Sequence, residues 1–203
     1  MSPRRVLSSG TVYTGRIWDV RSDTFELAEG TGALERDYVD HPGAVAVVPM
    51  DEAGRILLLR QYRHPVGMDL WEIPAGLLDM EGEPNLAAAA RELAEEADLA
   101  ADTWNVLADF FTSPGSSSEA IRVYLARGLT EVPHHERHER TDEEAEIEFA
   151  WMDLDEAVRA VMEGRLNNPS AVVGILAARA ARDDGFASLR PGDVPWPAHP
   201  AQR

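Results

Sequence analysis

Three glutamates in one predicted helix could bind a metal ion. Glu92, Glu95 and Glu96 are spaced by three and four residues within the stretch 84–97, whose pattern predicts a helix. On that helix the three carboxylates share one face, within about 100° of one another, and their mutual repulsion favours a bound cation. Hard divalent ions such as Mg²⁺ prefer oxygen ligands of this kind. A solvated acidic face, partly neutralised by Arg91, is the alternative interpretation.

The elements around this helix predict a mixed α/β domain. An apolar stripe on the opposite side of the helix would pack against a sheet. Apolar and alternating runs predict strands at 44–50, 56–59, 70–73, 104–112, 120–127 and 147–152, and further helices at 154–166 and 169–182. No internal repeat or linker interrupts this order. One central domain over 41–182 is therefore expected.

The two ends of the chain differ from this centre. Residues 11–40 alternate apolar and polar side chains and contain glycine turn signals, which predicts a peripheral antiparallel hairpin. We therefore separate 1–40 as an N-terminal β extension. The segment 183–203 contains four prolines and has no periodicity, so a proline-rich tail, extended or partly disordered, is expected.

Composition narrows the possible partners and cofactors. The chain has no cysteine, so any metal must be held by oxygen or imidazole ligands. Its formal net charge of −17 disfavours binding to nucleic acid or anionic lipid. No apolar run approaches the roughly 20 residues of a membrane span. We expect a cytoplasmic protein without a membrane or nucleic-acid partner.

The segment 76–99 resembles the Nudix box, G-x5-E-x7-R-E-U-x-E-E-x-G-U, in which U is a bulky apolar residue. Seven residues separate Glu83 from Arg91, and Arg-Glu-Leu-Ala-Glu-Glu at 91–96 matches the box in full. The segment differs from the box at two points. Six residues instead of five separate Gly76 from Glu83, and Asp98 stands where the box has its second glycine. Gly82 could absorb the extra residue, and aspartate tolerates the left-handed backbone expected at position 98.

The segments that flank the box resemble the ADP-ribose pyrophosphatase branch of the Nudix family. They are 41–45, 60–63 and 71–76, and Pro114 lies sixteen residues beyond Asp98, as in that branch. The resemblance implies an α/β Nudix fold, in which a mixed β-sheet is sandwiched between helices (α/β/α) and an N-terminal antiparallel hairpin is added. It also implies that 41–182 is the catalytic domain and that 1–40 is a dimerisation element of a homodimer.

The activity implied by this resemblance is metal-dependent hydrolysis of ADP-ribose to AMP and ribose 5-phosphate. Two alternatives remain open. The substrate could be another nucleoside diphosphate-sugar such as GDP-mannose, or a dinucleotide. The protein could instead be a sensor that binds ADP-ribose without hydrolysis, although a sensor has no need for the glutamates at 92, 95 and 96.

By position, the resemblance implies that Mg²⁺, with Mn²⁺ as a possible substitute, is held by Glu92, Glu96 and the backbone carbonyl of Ala75. Glu95 would assist them in catalysis. A carboxylate from a later loop would accept a proton from the attacking water. The acidic segment 141–146 is in the right place for this role, with Glu143 as first choice and Glu144 as second. A solvated loop is the competing interpretation.

Four residues are candidates for substrate binding. Arg36 and Arg63 could contact the diphosphate or the terminal ribose, because guanidinium makes planar paired contacts with phosphate. They could equally pair with surface acids. Trp71 could stack on adenine or lie in the core, and its neighbour Glu72 belongs to the same flanking segment.

Overall fold

The computed structural model describes residues 4–140 and 147–200 of the chain. The strands are β1 (Arg5–Thr14), β2 (Asp19–Glu26), β3 (Ala33–Asp40), β4 (Ala44–Pro49), β5 (Arg55–Arg63), β6 (Met68–Glu72), β7 (Ala75–Leu77), β8 (Leu99–Phe111), β9 (Ala120–Glu131), β10 (Glu148–Asp153) and β11 (Arg190–Pro191). The helices are α1 (Asn85–Ala97), α2 (Leu154–Met162) and α3 (Pro169–Arg182), and a short 3₁₀ helix spans His134–Glu136. None of these helices is long and apolar enough to cross a membrane.

Contacts divide the chain into two compact units. The larger unit comprises Ala44–Phe110 and Ile121–Trp196. The smaller unit comprises Met1–Gly43, Phe111–Ala120 and Pro197–Arg203. The helix that carries the three glutamates belongs to the larger unit, together with the whole of the segment that resembles the Nudix box.

A five-stranded sheet forms the centre of the larger unit, in the order β11-β8-β9-β4-β7. Strand β4 is parallel to β9 and antiparallel to β7, and all six of its residues are buried. Val45 and Val47 pack in one apolar cluster with the buried side of α1, whereas Ala46 and Val48 pack in another with α2 and α3. Helices therefore cover both faces of the sheet, which confirms the predicted α/β/α arrangement. Strands β10, β5 and β6 form a second, antiparallel sheet.

The two C-terminal helices begin as the sequence predicts. The Asn168 side chain accepts a hydrogen bond from the Ala171 backbone N–H at the start of α3, and Pro169 is the first helical residue. Helix α2 ends at Met162, before the predicted end at residue 166. Gly164 adopts a left-handed conformation (φ 73°) that ends the helix, and Leu166 is buried outside it. The predicted helix was too long because Leu166, although outside the helix, is apolar and continues its sequence pattern.

The smaller unit contains an antiparallel sheet of three strands in the order β1-β2-β3. The predicted antiparallel extension is confirmed. It has three strands where a hairpin has two, and its first strand begins at Arg5, before the predicted start at residue 11. Gly30 and Gly32 adopt positive φ in the turn between β2 and β3. All ten residues of β1 are exposed.

The tail is more ordered than the sequence suggests. Strand β11 pairs with β8, and Trp196 is buried. The Arg122 guanidinium is also buried and lies 4.9 Å from the centre of the Trp196 ring, where a cation–π contact forms. Asp109 accepts hydrogen bonds from Arg122 at 2.7 and 3.1 Å and from Arg190 at 2.7 Å. These partners are remote in sequence, so the prolines and the lack of periodicity gave no sign of this packing.

Candidate active site

The carboxylate of Glu92 lies directly against the backbone of Gly76. Glu92 is on α1, and Gly76 is in the middle of the short strand β7. A Cβ atom built on Gly76 would lie 1.9 Å from Cδ of Glu92 and 2.0 Å from its Oε1. A side chain at residue 76 would collide with the Glu92 carboxylate in this position, so glycine there allows Glu92 to lie against the strand.

Glu96 contacts the neighbouring residue of the same strand. Its Oε2 accepts a hydrogen bond of 2.8 Å from the backbone N–H of Ala75, and the side chain is buried. Because Glu92 and Glu96 are one helical turn apart, they lie on one face of α1. The structure therefore brings together Ala75, Glu92 and Glu96, the three residues expected to bind metal.

Arg91 connects three acidic side chains at this helix. Its Nε and one terminal nitrogen each donate to Glu83 at 3.0 Å, and its other terminal nitrogen lies 2.6 Å from Glu92 and 3.1 Å from Glu95. The hydrogen bonds from Arg91 lower the pKa of Glu83, although desolvation acts in the opposite direction. The same hydrogen bonds to Glu83, opposed by desolvation and supported by the charge of Glu92, raise the pKa of Arg91. Arg91 therefore links Glu83, Glu92 and Glu95 directly, while its single positive charge offsets only part of theirs.

Glu83 stays in this group despite the extra residue between Gly76 and Glu83. Gly82 adopts φ 78° in the loop just before Glu83, a conformation that glycine reaches without steric cost. In the described part of the chain Glu83 is paired with Arg91, and its side chain is 15% exposed.

Arg63 and Glu72 form a second arginine–glutamate pair. Arg63 donates to the two carboxylate oxygens of Glu72 at 2.9 and 2.8 Å. The Glu72 side chain is only 3% exposed, whereas that of Arg63 is 40% exposed. A buried carboxylate therefore holds an arginine whose guanidinium still reaches solvent. The role of Glu72 as a support for Arg63 was not apparent from the sequence.

Of the other predicted substrate and catalytic residues, the structure describes Trp71 and Arg36. Trp71 is half-buried and packs against the core cluster that contains α2 and α3. Arg36 is exposed on β3 in the smaller unit and donates to the Glu35 carbonyl at 2.6 Å. Glu143 and Glu144 lie outside the described residues.

The donor atoms at β7 and α1 could hold a hard divalent cation. Among residues 4–140 and 147–200, no three histidine, aspartate or glutamate side chains are grouped closely enough to bind a metal alone. Two carboxylates and the carbonyl of Ala75 nevertheless provide an all-oxygen set of donors, and Mg²⁺ usually binds one or two protein carboxylates together with water and substrate phosphate. The lack of a side chain at Gly76 lets the Glu92 carboxylate lie against β7 beside Ala75, which fits such a set of donors.

The NUDIX domain family matches residues 40–172. The chain belongs to the Nudix hydrolase family, whose members generally depend on divalent metal ions. It is 48% identical over 190 residues to an ADP-ribose pyrophosphatase of Mycobacterium tuberculosis, which covers 94% of this chain and 89% of the relative. It is 33% identical over 171 residues to a methanol dehydrogenase activator of Bacillus methanolicus, with 84% and 90% covered. The family predicted from the box is confirmed.

The fold is also similar to a solved structure. The crystal structure of an ADP compounds hydrolase matches with a TM-score of 0.73 at 22% identity, covering 91% of this chain and 97% of the other. This similarity confirms the predicted Nudix fold.

Proposed function

We propose that the protein hydrolyses ADP-ribose to AMP and ribose 5-phosphate. The observation that carries the chemistry is the contact of Glu92 and Glu96 with the consecutive residues Gly76 and Ala75. The proposed substrate rests on the similarity to the mycobacterial ADP-ribose pyrophosphatase at 48% identity. GDP-mannose, other nucleoside diphosphate-sugars and dinucleotides are the alternative substrates.

Glu92, Glu96 and the carbonyl of Ala75 are proposed to hold Mg²⁺, for which Mn²⁺ could substitute. When bound, the ion would neutralise the diphosphate and make a bound water more acidic. Arg91 binds Glu92 and Glu95 and so limits the positions that these two carboxylates can take. Glu95, with 34% of its side chain exposed, is proposed to assist at the rim of the site.

The reaction needs a group that accepts a proton from the attacking water. As the water oxygen forms a bond to one phosphorus, the bond from that phosphorus to the bridging oxygen breaks, and the proton passes to a carboxylate. We assign this role to Glu143, with Glu144 as the second candidate, because of their position in the sequence. Arg63, held by Glu72, would contact the diphosphate.

Arg36 and Trp71 remain proposals for substrate binding. Arg36 would bring a second positive charge to the phosphates or the terminal ribose. Trp71 would stack part of its ring on adenine. We further propose a homodimer formed through the N-terminal sheet, which exposes apolar side chains including Val6, Val12 and Tyr13. The lack of cysteine is consistent with the proposed cytoplasmic location.

Replacement of Glu96 by glutamine tests the proposed function. The amide oxygen of Glu96→Gln can still accept the hydrogen bond from Ala75, so the fold should be retained while a negative ligand is lost. We expect AMP release from ADP-ribose with Mg²⁺ to fall by about 100-fold or more. The matched control is Glu156→Gln on the exposed face of α2, which should act like the wild type.

The outcomes separate the alternatives. Activity of Glu96→Gln near that of the wild type would remove Glu96 from the metal site. If the wild-type protein releases no AMP from ADP-ribose but cleaves GDP-mannose or a dinucleotide in the same panel, the cleaved compound replaces ADP-ribose as the proposed substrate. A wild-type protein that binds ADP-ribose in calorimetry but cleaves none of these compounds would be a sensor.

A further inference from the structure

Gln61 is a polar residue in a buried part of β5. Residues 56–59 of the same strand are all apolar and buried, and Gln61 is itself only 7% exposed. Its side-chain oxygen Oε1 is buried and accepts no hydrogen bond from any residue of 4–140 or 147–200. A buried acceptor without a donor costs free energy, whereas an apolar side chain of similar size would not have this cost. Stability of the fold therefore does not explain glutamine at this position.

The register of β5 and β6 places Gln61 between Arg63 and Glu72. Gln61 is paired with Leu70, and the neighbouring pairs on the same face contain Glu72 on one side and Arg63 on the other. Alternate residues of a strand share a face of the sheet, and so do residues paired across two antiparallel strands. The hydrogen bonds between Arg63 and Glu72 therefore cross the position of the Gln61–Leu70 pair. This register brings the Gln61 amide beside the guanidinium of Arg63.

The face of the sheet that carries Gln61 is turned towards α1. Leu57 is four residues before Gln61 on β5 and therefore shares its face. Leu57 lines a cavity together with Ala97 and Leu99, at the C-terminal end of α1. Gln61 and Arg63 thus lie on the side of this sheet that meets the helix with the candidate metal ligands.

We propose that Gln61 is a positioning residue for Arg63, and that its amide oxygen accepts an N–H of Arg63 when the guanidinium binds the diphosphate of the substrate. This inference rests on the proposed hydrolase function. An arginine has five N–H donors, and Glu72 accepts two of those of Arg63. Arg63 can therefore contact Glu72, a phosphate group and Gln61 at the same time.

A neutral acceptor suits this position better than a charged one. An anionic substrate competes with Glu72 for the guanidinium of Arg63. A second carboxylate beside Arg63 would also repel the phosphate groups. The amide oxygen of Gln61 holds the guanidinium through a hydrogen bond to a charged donor and adds no negative charge. Gln61 thus keeps Arg63 directed at the substrate while the contact with Glu72 weakens.

The variant Gln61→Met separates this role from a structural one. Methionine has a similar length and only a weak acceptor, so the melting temperature should stay the same or rise. KM for ADP-ribose should rise by about 10-fold, the effect of one lost hydrogen bond to a charged group. The kcat and the affinity for Mn²⁺ should not change, because Arg63 contacts the diphosphate in both the bound substrate and the transition state.

Two further comparisons test the acceptor and its route through Arg63. Gln61→Leu has a different apolar shape, and an equal KM in both variants would assign the effect to the lost acceptor. Arg63→Met should raise KM by more than Gln61→Met does. The double variant should have the KM of Arg63→Met alone, because Gln61 then has no guanidinium to hold.

Leu70→Met is the matched control. Leu70 is the cross-strand partner of Gln61 on the same face, and its side chain offers no hydrogen-bond acceptor. KM for ADP-ribose and the melting temperature of this variant should therefore be close to those of the wild type.

Three results would overturn the role of Gln61. The first is a KM equal to that of the wild type in Gln61→Met and Gln61→Leu. The second is a lower melting temperature in both variants, which would make Gln61 a structural residue of the sheet. The third is an equal increase in KM from Gln61→Met with and without Arg63. Failure of the hydrolase proposal would appear instead in the wild type, as a lack of AMP release from ADP-ribose.

Discussion

At the scale of single residues, the candidate metal site depends on the absence of a side chain at Gly76, which leaves room for the Glu92 carboxylate. Glu92 occupies the position that a Cβ on Gly76 would need, and Glu96 binds the adjacent backbone N–H of Ala75. The end of a glutamate side chain is flexible, so an added methyl group at residue 76 would displace the Glu92 carboxylate more easily than it would displace the strand. The cost of such a change should therefore fall on metal binding.

The variant Gly76→Ala is expected to weaken Mn²⁺ binding by about 10- to 100-fold, because displaced ligand groups typically have effects of this size. The melting temperature should change little, since only the end of a side chain has to move. Isothermal titration with Mn²⁺ and activity at limiting metal would measure the effect.

Gly10→Ala serves as the control, because a Cβ at Gly10 would meet no atom within 4 Å. Equal Mn²⁺ affinity in Gly76→Ala and the wild type would contradict the placement of Glu92 at the metal.

At the scale of elements, the loop that precedes α1 is tied to the helix by one ion pair. Glu83 lies two residues before the first residue of α1, and Arg91 lies in the middle of the helix. The two planar contacts at 3.0 Å fix the loop to the face that carries the acidic side chains. The loop, the helix and β7 are therefore held in register around the same group of carboxylates.

This ion pair predicts a pH-dependent contribution to stability. Because the pKa of Glu83 is lowered in the folded protein from its usual value of 4.5, the stabilisation is complete above that value and is lost as the pH falls through the lower, folded value. We expect Glu83→Gln to reduce the free energy of unfolding by about 1 kcal/mol at pH 7. The difference from the wild type should shrink as the pH falls below 4.5.

Urea unfolding at a series of pH values would measure this difference, with the exposed Glu52→Gln as a control that should show none. A difference between Glu83→Gln and the wild type that stays constant down to acid pH would show that Glu83 acts without its charge.

At the scale of the whole molecule, the N-terminal sheet contributes no fully buried residue, because every residue of β1, β2 and β3 is exposed or half-buried. Its first strand is exposed along its entire length, and Val12 and Tyr13 are 63% and 60% exposed. Exposed apolar side chains on one sheet favour its use as an interface with another protein. A second copy of the chain is the partner that we propose for this sheet.

Sedimentation velocity should show a dimer for the wild type and a shift towards monomer for Val12→Asp, because a buried charge would oppose association. Val66→Asp is the control, since Val66 is equally exposed at 59% but lies in the turn between β5 and β6. A monomeric wild type at every concentration, or equal dissociation of both variants, would contradict an interface on this sheet.

Much of the fold was predictable because its signals are local. A few consecutive residues are enough to predict each of three features: the buried strand β4, the glutamates on α1 and the Asn168-Pro169 start of α3. The end of α2 was predicted too late, because Leu166 is buried by tertiary packing beyond Gly164. The order of the tail depends on Trp196 meeting Arg122, and no pattern within the tail reveals that contact.

By itself, the sequence determined that the carboxylates share one face of a helix, because a spacing of three or four residues fixes the face. It also determined the resemblance to the Nudix family, because the box is a local motif. The tertiary structure decided which groups those carboxylates contact. The pairing of β7 with β4 places the backbone of residues 75 and 76 against α1, and Asp98 meets Arg140 only through folding. Both contacts join residues that are distant in the chain, and their formation depends on burial of the sheet and helices around a common core.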